Sequence, residues 1–115
     1  MFYMIYLAAG LSSRYGSNKL LEMVDGKPMF RHLLDILTVM KEEEPHRYEL
    51  VVVTAYDEIE ESVKGLPVKV VRNNNQELGA SHSIKLGLEA CGEIGQHDRC
   101  LLFEDRQKLL VCLRP

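Results

Sequence analysis

The sequence predicts an α/β protein, a parallel sheet with helices on both faces, and two observations carry that expectation. Three short apolar runs, Tyr3–Leu7, Leu50–Val53 and Cys100–Phe103, have the length and unbroken hydrophobicity of buried strands, and Val68–Val71, broken only by Lys69, reads as a further strand. Between them lie stretches whose apolar residues recur at helical spacing, and strands alternating with helices in this way make βαβ units. A chain of 115 residues with 46% apolar and 27% charged residues has the balance of one ordinary globular domain and no room for a second.

The first strand closes in Ala8-Ala9-Gly10 and leads into a loop rich in small and polar residues, Gly10, Ser12, Ser13, Gly16, Ser17 and Asn18. Val24-Asp25-Gly26-Lys27-Pro28 reads as a turn leading to a helix, since Asp-Gly marks turns and proline suits a first helical turn. Phe30, Leu33, Leu34, Leu37 and Met40 then form one apolar helical face, and the helix should fray out in Glu42-Glu43-Glu44-Pro45. The second strand ends at Thr54, and the acidic segment Asp57 to Lys64 makes a short helix stopped by Gly65. After the third strand and a polar loop from Arg72 to Gln76, Ser81 or Ser83 would cap a helix carrying Ile84, Leu86, Leu88 and Ala90. Ligands of such sheets sit beyond the C-terminal ends of the strands.

Charge and cysteine content narrow the function classes. Fourteen Lys and Arg against seventeen Asp and Glu give a net charge of −3, so there is no large positive field to hold a nucleic-acid backbone. No apolar run reaches the roughly 18 residues of a membrane span. Cys91, Cys100 and Cys112 match no zinc or disulfide framework, which fits a reducing cytoplasm.

The chemistry concentrates in the loop after the first strand, Gly10-Leu-Ser-Ser-Arg-Tyr-Gly16-Ser-Asn-Lys19. Glycines admit close backbone approach, successive amides can donate to phosphate oxygens, and Arg14 and Lys19 add positive charge. This is a candidate phosphate site. It is not a Walker loop, because five residues separate Gly10 from Gly16, the lysine comes three positions late, and Leu20 replaces the magnesium-binding Ser or Thr. The dinucleotide fingerprint Gly-x-Gly-x-x-Gly is absent as well. The alternative is a surface turn with a solvated Arg and Lys.

Leu7-Ala-Ala-Gly-Leu-Ser-Ser-Arg-Tyr-Gly-Ser-Asn-Lys-Leu-Leu21, followed by Asp25-Gly-Lys-Pro28, resembles the signature of the MobA-like nucleotidyltransferases, closest to the molybdenum cofactor cytidylyltransferases. Val51-Val-Val-Thr-Ala-Tyr-Asp57, Val70-Val-Arg-Asn73 and Leu78-Gly-Ala-Ser-His-Ser-Ile-Lys-Leu-Gly-Leu88 match in order. The resemblance implies a Rossmann-like nucleotidyltransferase fold, an NTP and Mg²⁺, and attack by the terminal phosphate of molybdopterin on the α-phosphate with release of pyrophosphate. It implies that Ala8, Ala9 and Gly10 line base and ribose, that Leu7, Ser12 and Ser13 belong to the nucleotide-binding residues, and that Arg14 and Lys19 hold the triphosphate as the catalytic pair. Such transfer needs charge neutralisation and alignment more than a strong base. Ala9 stands where guanylyl-transferring relatives tend to have glycine, and its methyl group would narrow the pocket toward a pyrimidine, favouring CTP over GTP. Thr54, Asn73, Gly79, Ser81 and Ser83 match loops that contact nucleotide or acceptor. Equally, the serines read as helix caps, Thr54 as a strand end and Gly79 as a turn. His32 reads as a structural histidine within the first helix, and His82 is a minor candidate beside the loop.

The pattern departs from the family after Phe103. Asp105 fills the position of the metal-binding aspartate, but Arg106-Gln107 follows it instead of Gln-Pro, and an alternative alignment through Val111-Cys-Leu-Arg-Pro115 leaves no carboxylate there. The expectation is a truncated nucleotidyltransferase fold, residues 1–103 forming its N-terminal NTP-binding part and 104–115 an atypical tail, as a frameshift or early stop would leave. A short protein with its own ending is the alternative. A truncated sheet would expose an apolar edge, so a homo-oligomer is expected, with Leu109, Leu110 and Val111 as an added strand. Two other functions stay open. One is a nucleotide-binding or structural remnant without catalysis. The other is a sugar-phosphate nucleotidyltransferase, although those enzymes usually read Gly-Thr-Arg where this chain has Ser12-Ser13-Arg14.

Overall fold

The computed structural model describes residues 1–8, 19–75, 78–93, 95–104 and 108–113. Each predicted apolar run becomes a strand: β1 (Phe2–Ala8), β4 (Tyr48–Thr54), β5 (Lys69–Arg72) and β6 (Arg99–Glu104). They pair in parallel in the order β5-β4-β1-β6, and a further strand, β7 (Lys108–Leu113), adds to β6 in antiparallel fashion. The tail thus supplies the expected extra strand, but it pairs within the same chain. A register shift between Leu102 and Phe103 marks where that pairing is irregular.

Three helices cover the sheet. α1 (Met29–Glu43) and α2 (Asp57–Ser62) follow β1 and β4, and α3 (Ala80–Ala90) carries the chain from β5 back across β1 to β6. Strand periodicity sorts the core into two layers. Met4, Tyr6, Ala8, Leu50 and Val52 point to one face, where Phe30, Leu33, Leu34 and Leu37 of α1 and Ile59 of α2 bury against them. Ile5, Val51, Val53, Cys100 and Leu102 point to the other, with Ile84, Leu86 and Leu88 of α3. Full burial of a leucine or phenylalanine contributes about 1.5–3 kcal/mol, so the face of α1 read from its spacing is also what holds the helix down.

α3 lies very close to the sheet. A Cβ placed on Gly87 would stand 2.6 Å from Ile5 Cγ2 and 3.3 Å from Val53 Cγ2, so the missing side chain sets the depth of the helix. Before α1 the chain makes a small hairpin, β2 (Met23–Val24) against β3 (Lys27–Pro28), where the sequence suggested only a turn. Asp25 and Gly26 both have positive φ, 50° and 87°, the backbone of the tight hairpin turn that Asp-Gly favours. Pro28 sits one position before α1, not within its first turn.

Candidate functional site

The connections from β1 and β5 diverge across the sheet. From β1 the chain passes to β4 on one side, and from β5 it returns through α3 to β6 on the other, so β1 lies at the reversal of strand order, where open α/β sheets place their ligand crevice. The register aligns three strand ends there: Ala8 is paired with Thr54, and Thr54 with Arg72. Ala8 is fully buried and is the last described residue before the glycine-rich segment. The chain returns in a single 3-10 turn, Lys19–Leu21, whose Leu20 is buried among the residues packed on α1. Both ends of that segment are therefore anchored in the core. Ala9, Gly10, Ser12, Ser13 and Arg14 lie outside the described residues, as does Asp105 beyond β6. Lys19 opens the 3-10 turn, and Leu7 is half-buried on the α3 side of β1.

Next to this opening the structure joins three predicted residues through hydrogen bonds. Asn73 is fully buried; its backbone N–H donates to Thr54 O at 2.9 Å, its Nδ2 donates to Ser83 Oγ at 2.8 Å, and its Oδ1 accepts from the Asn75 N–H at 2.8 Å. Thr54, also fully buried, accepts the Tyr56 N–H on Oγ1 at 3.1 Å, closing its strand as an ST-turn. Asn73 thereby ties the end of β4, through its backbone N–H, and the first turn of α3, through its side chain, to the end of β5. A buried amide left unpaired would cost about 1–3 kcal/mol, so these bonds fix the relative height of the three elements.

The cap of α3 differs from the expectation. Neither Ser81 nor Ser83 caps it: the N-cap is Gly79, at φ 84° and ψ −174°, with no side-chain hydrogen bond, and Ser83 is turned inward to Asn73. Only glycine adopts that backbone at low cost, so Gly79 starts the helix two residues before the first serine. Gly79 and Ser81 are exposed at the end of the sheet that Thr54 and Asn73 define. His32 is structural, its Nε2 2.6 Å from Val24 O, tying α1 to the hairpin. His82 is half-buried within α3.

Sequence reasoning passed over Arg72, the cation in register with Thr54. Its guanidinium is 2.9 Å from Asp57 Oδ1 and 3.5 Å from Glu60 Oε1, so its charge is shared with α2. The Val70-Val-Arg-Asn73 run that placed Asn73 at a strand end was signal enough to place Arg72 there too. Among the described residues no group of three or more His, Cys, Asp or Glu could hold a metal ion, and no helix is long and apolar enough to cross a membrane.

A doubly wound, Rossmann-like sheet whose central strand opens into a Gly/Ser/Arg/Lys segment at the switch point is the architecture of nucleotide-handling α/β proteins. The chain belongs to the MobA-like NTP transferase family, whose model matches residues 4–103. Among solved structures it is similar to a nucleotidyl transferase from Methanothermobacter thermautotroptrophicus, with 26% identity and a TM-score of 0.69, over 90% of this chain and 50% of that one. It also resembles in fold Rv0371c from Mycobacterium tuberculosis H37Rv, with 16% identity and a TM-score of 0.60, over 90% of this chain and 50% of that one. The CTP:phosphocholine cytidylyltransferase of Streptococcus pneumoniae, LicC, shares the fold at 19% identity and a TM-score of 0.59, over 87% of this chain and 43% of that one. The chain thus spans about half the length of these solved structures. The comparison with curated proteins finds no match.

Proposed function

We propose that the chain binds a nucleoside triphosphate, CTP in preference to GTP, at the C-terminal edge of its sheet, and serves transfer of CMP to the terminal phosphate of a molybdopterin-type acceptor. In that reaction an acceptor phosphate oxygen attacks the α-phosphorus, the bond from the α-phosphorus to the bridging oxygen breaks, and pyrophosphate leaves with the electron pair. Loop amides from Gly10 to Ser13, with Arg14 and Lys19, neutralise the triphosphate and align it for in-line attack. Leu7, Ala8 and Ala9 line the base and ribose, and the Ala9 methyl group disfavours a purine. Gly79 and Ser81 lie toward the nucleotide, while Thr54, Asn73 and Ser83 hold the edge in shape.

The observation that carries this reading is the position of Ala8: fully buried at the centre of the sheet, at the switch point, and followed directly by the segment that bears Arg14 and Lys19. Family membership supports it, and the cytidylyltransferase among the structural neighbours agrees with a pyrimidine. Magnesium belongs to the proposal, with Asp105 as protein ligand beside phosphate oxygens. The described residues do not make a magnesium site by themselves. A cytoplasmic setting accords with cysteines whose spacing matches no disulfide framework.

Calorimetric titration with CTP, GTP and ATP, with and without Mg²⁺, tests the proposal. Tightest binding of CTP, weakened about tenfold or more by Arg14→Ala and by Lys19→Ala at unchanged thermal stability, is the expected result. Loss of folding in those variants at unchanged affinity would contradict it. Ala9→Gly should raise the relative affinity for GTP. Because the chain spans half the length of the solved relatives, a second reading is nucleotide binding without turnover; binding without pyrophosphate release would establish that reading.

A further inference from the structure

α3 brings a second piece of chemistry to the end of the sheet opposite the proposed nucleotide edge. The helix runs antiparallel to the strands it covers, with Gly87 seated over Ile5 of β1. Four residues further along a helix is about 6 Å, and two residues back along a strand is about 6.6 Å, so Cys91 comes level with Tyr3. Tyr3 is paired in register with Cys100 of β6, and both belong to the layer that α3 covers. Two cysteines nine positions apart in sequence thus meet, one at the end of a helix and one at the start of a strand. Local spacing does not announce this pair; the fold makes it.

Cys91 is half-buried against this layer and Cys100 is fully buried within it, both as reduced thiols. The Cys91 Sγ donates to Gly87 O at 3.3 Å, and the two cysteine side chains hydrogen-bond each other. Gly92 follows at φ 73°, turning the chain out of the helix so that eight residues return it to Cys100. The third cysteine, Cys112, is in register with Leu101, one position away from Cys100. Burial first, then Cys100 and Glu49, oppose ionisation of Cys91, while Lys69, 2.9 Å from Ala90 O, favours it. Thiols already in contact need only small side-chain rotations to bond, and each holds the other at high effective concentration.

We infer that Cys91 and Cys100 form a redox-sensitive pair, closed to a disulfide by a small-molecule disulfide such as oxidised glutathione. Cys91, the more exposed, loses its proton, and its thiolate attacks one glutathione sulfur, expelling one glutathione thiolate and leaving a mixed disulfide. Cys100 then loses its proton, attacks the Cys91 sulfur and expels the second glutathione. Two protein thiols are oxidised, one glutathione disulfide is reduced to two thiols, and the two protons pass to the departing thiolates. The product staples the C-terminal end of α3 to the start of β6. Because burial and Cys100 hold the Cys91 thiol high, the exchange is slow at neutral pH, and the pair responds to sustained oxidation rather than to brief exposure.

Incubating the 115-residue chain with about a tenfold excess of oxidised glutathione at about pH 8.5 tests this directly. Trypsin cuts after Lys85, Arg99, Arg106 and Lys108, so each cysteine falls in its own peptide, 86–99, 100–106 or 109–115. The expected result is a single chain lighter by two hydrogen atoms, with peptide 86–99 joined to 100–106 and the join reversed by dithiothreitol. Its melting temperature should rise by about 5–10 °C over the reduced chain. Cys112→Ser should keep the link and Cys91→Ser should abolish it, each with the circular dichroism of the native chain. Glutathione adducts without the link, a link that includes peptide 109–115, or a linked chain that melts no higher than the reduced one would overturn the inference.

Discussion

The two ends of the sheet are built from different materials. Of the buried polar side chains among the described residues, Thr38, Thr54, Asn73 and Ser83, three lie at the C-terminal edge, bonded to one another or to nearby backbone. The opposite end is closed by partly exposed contacts: the Met1 ammonium 3.3 Å from Asp98 Oδ1, and Arg47 over the rings of Phe2 and Tyr48 at 5.3 and 5.6 Å. Exposed pairs of that kind contribute little and yield easily. Buried polar networks define one geometry and fail when a member is lost. The contrast shows which end of the sheet is held to a fixed shape, and it is the end where the proposed nucleotide binds.

Paired substitutions break or sharpen this contrast. Asn73→Ala leaves the buried Ser83 hydroxyl without its partner and frees the Asn75 amide at the loop, and should lower stability by about 1–3 kcal/mol. Arg47→Ala at the other end should cost about 0.5–1 kcal/mol. Chemical denaturation measures both, and equal losses would erase the distinction. Gly87→Ala lies between the ends. Its added methyl meets Ile5 Cγ2, and overpacking of about 1–3 kcal/mol exceeds the gain of about 1 kcal/mol in helix propensity, so the melting temperature should fall.

Smaller effects concern protons. Burial, and then the neighbouring Cys100, push the Cys91 thiol up to about 12, so alkylation of native Cys91 should stay slow at neutral pH and become fast only on unfolding. Mass spectrometry of the alkylated chain measures this, and rapid native labelling would show that end to be loosely packed. The Asp98 carboxyl is held below its ordinary value, first by the Gly95 amide and also by the Met1 ammonium. A lowered carboxyl pKa adds stability that is complete above the unfolded-state pKa and is lost as pH falls through the folded value. Asp98→Asn should therefore slightly flatten the acid limb of the stability profile, and an unchanged limb would remove the ion pair from the account.

The sequence was most legible where burial dictates residue type. Apolar runs marked β1, β4 and β6, and the spacing of Phe30, Leu33, Leu34 and Leu37 marked the inner face of α1, because these elements bury most of their apolar residues in the core; β5, only partly buried, was marked by its valines. The hairpin before α1 was half legible: Asp25-Gly26 marked the turn, but strands of two residues carry no periodicity. The cap of α3 was misread because serine is the better cap in isolation. The bond from Asn73 to Ser83 links residues ten apart through the returning chain, and no local pattern reports that. Arg72 was passed over because its partners, Asp57 and Glu60, reach it only once β5 lies beside β4 and α2 packs above them. Of the candidate site, the loop chemistry was visible as composition, and the anchoring of that loop between Ala8 and Leu20 came from the fold.

Nucleotide binding at the C-terminal edge is the central claim, and amide chemical shifts report it most directly. On adding CTP with Mg²⁺ to the isotopically labelled chain, the account predicts saturable shifts at Ala8, Lys19, Thr54, Asn73, Gly79 and Ser81. Arg47, Asp98 and Arg99 at the far end should stay in place. Shifts confined to the far end, or none at saturating nucleotide, would contradict it.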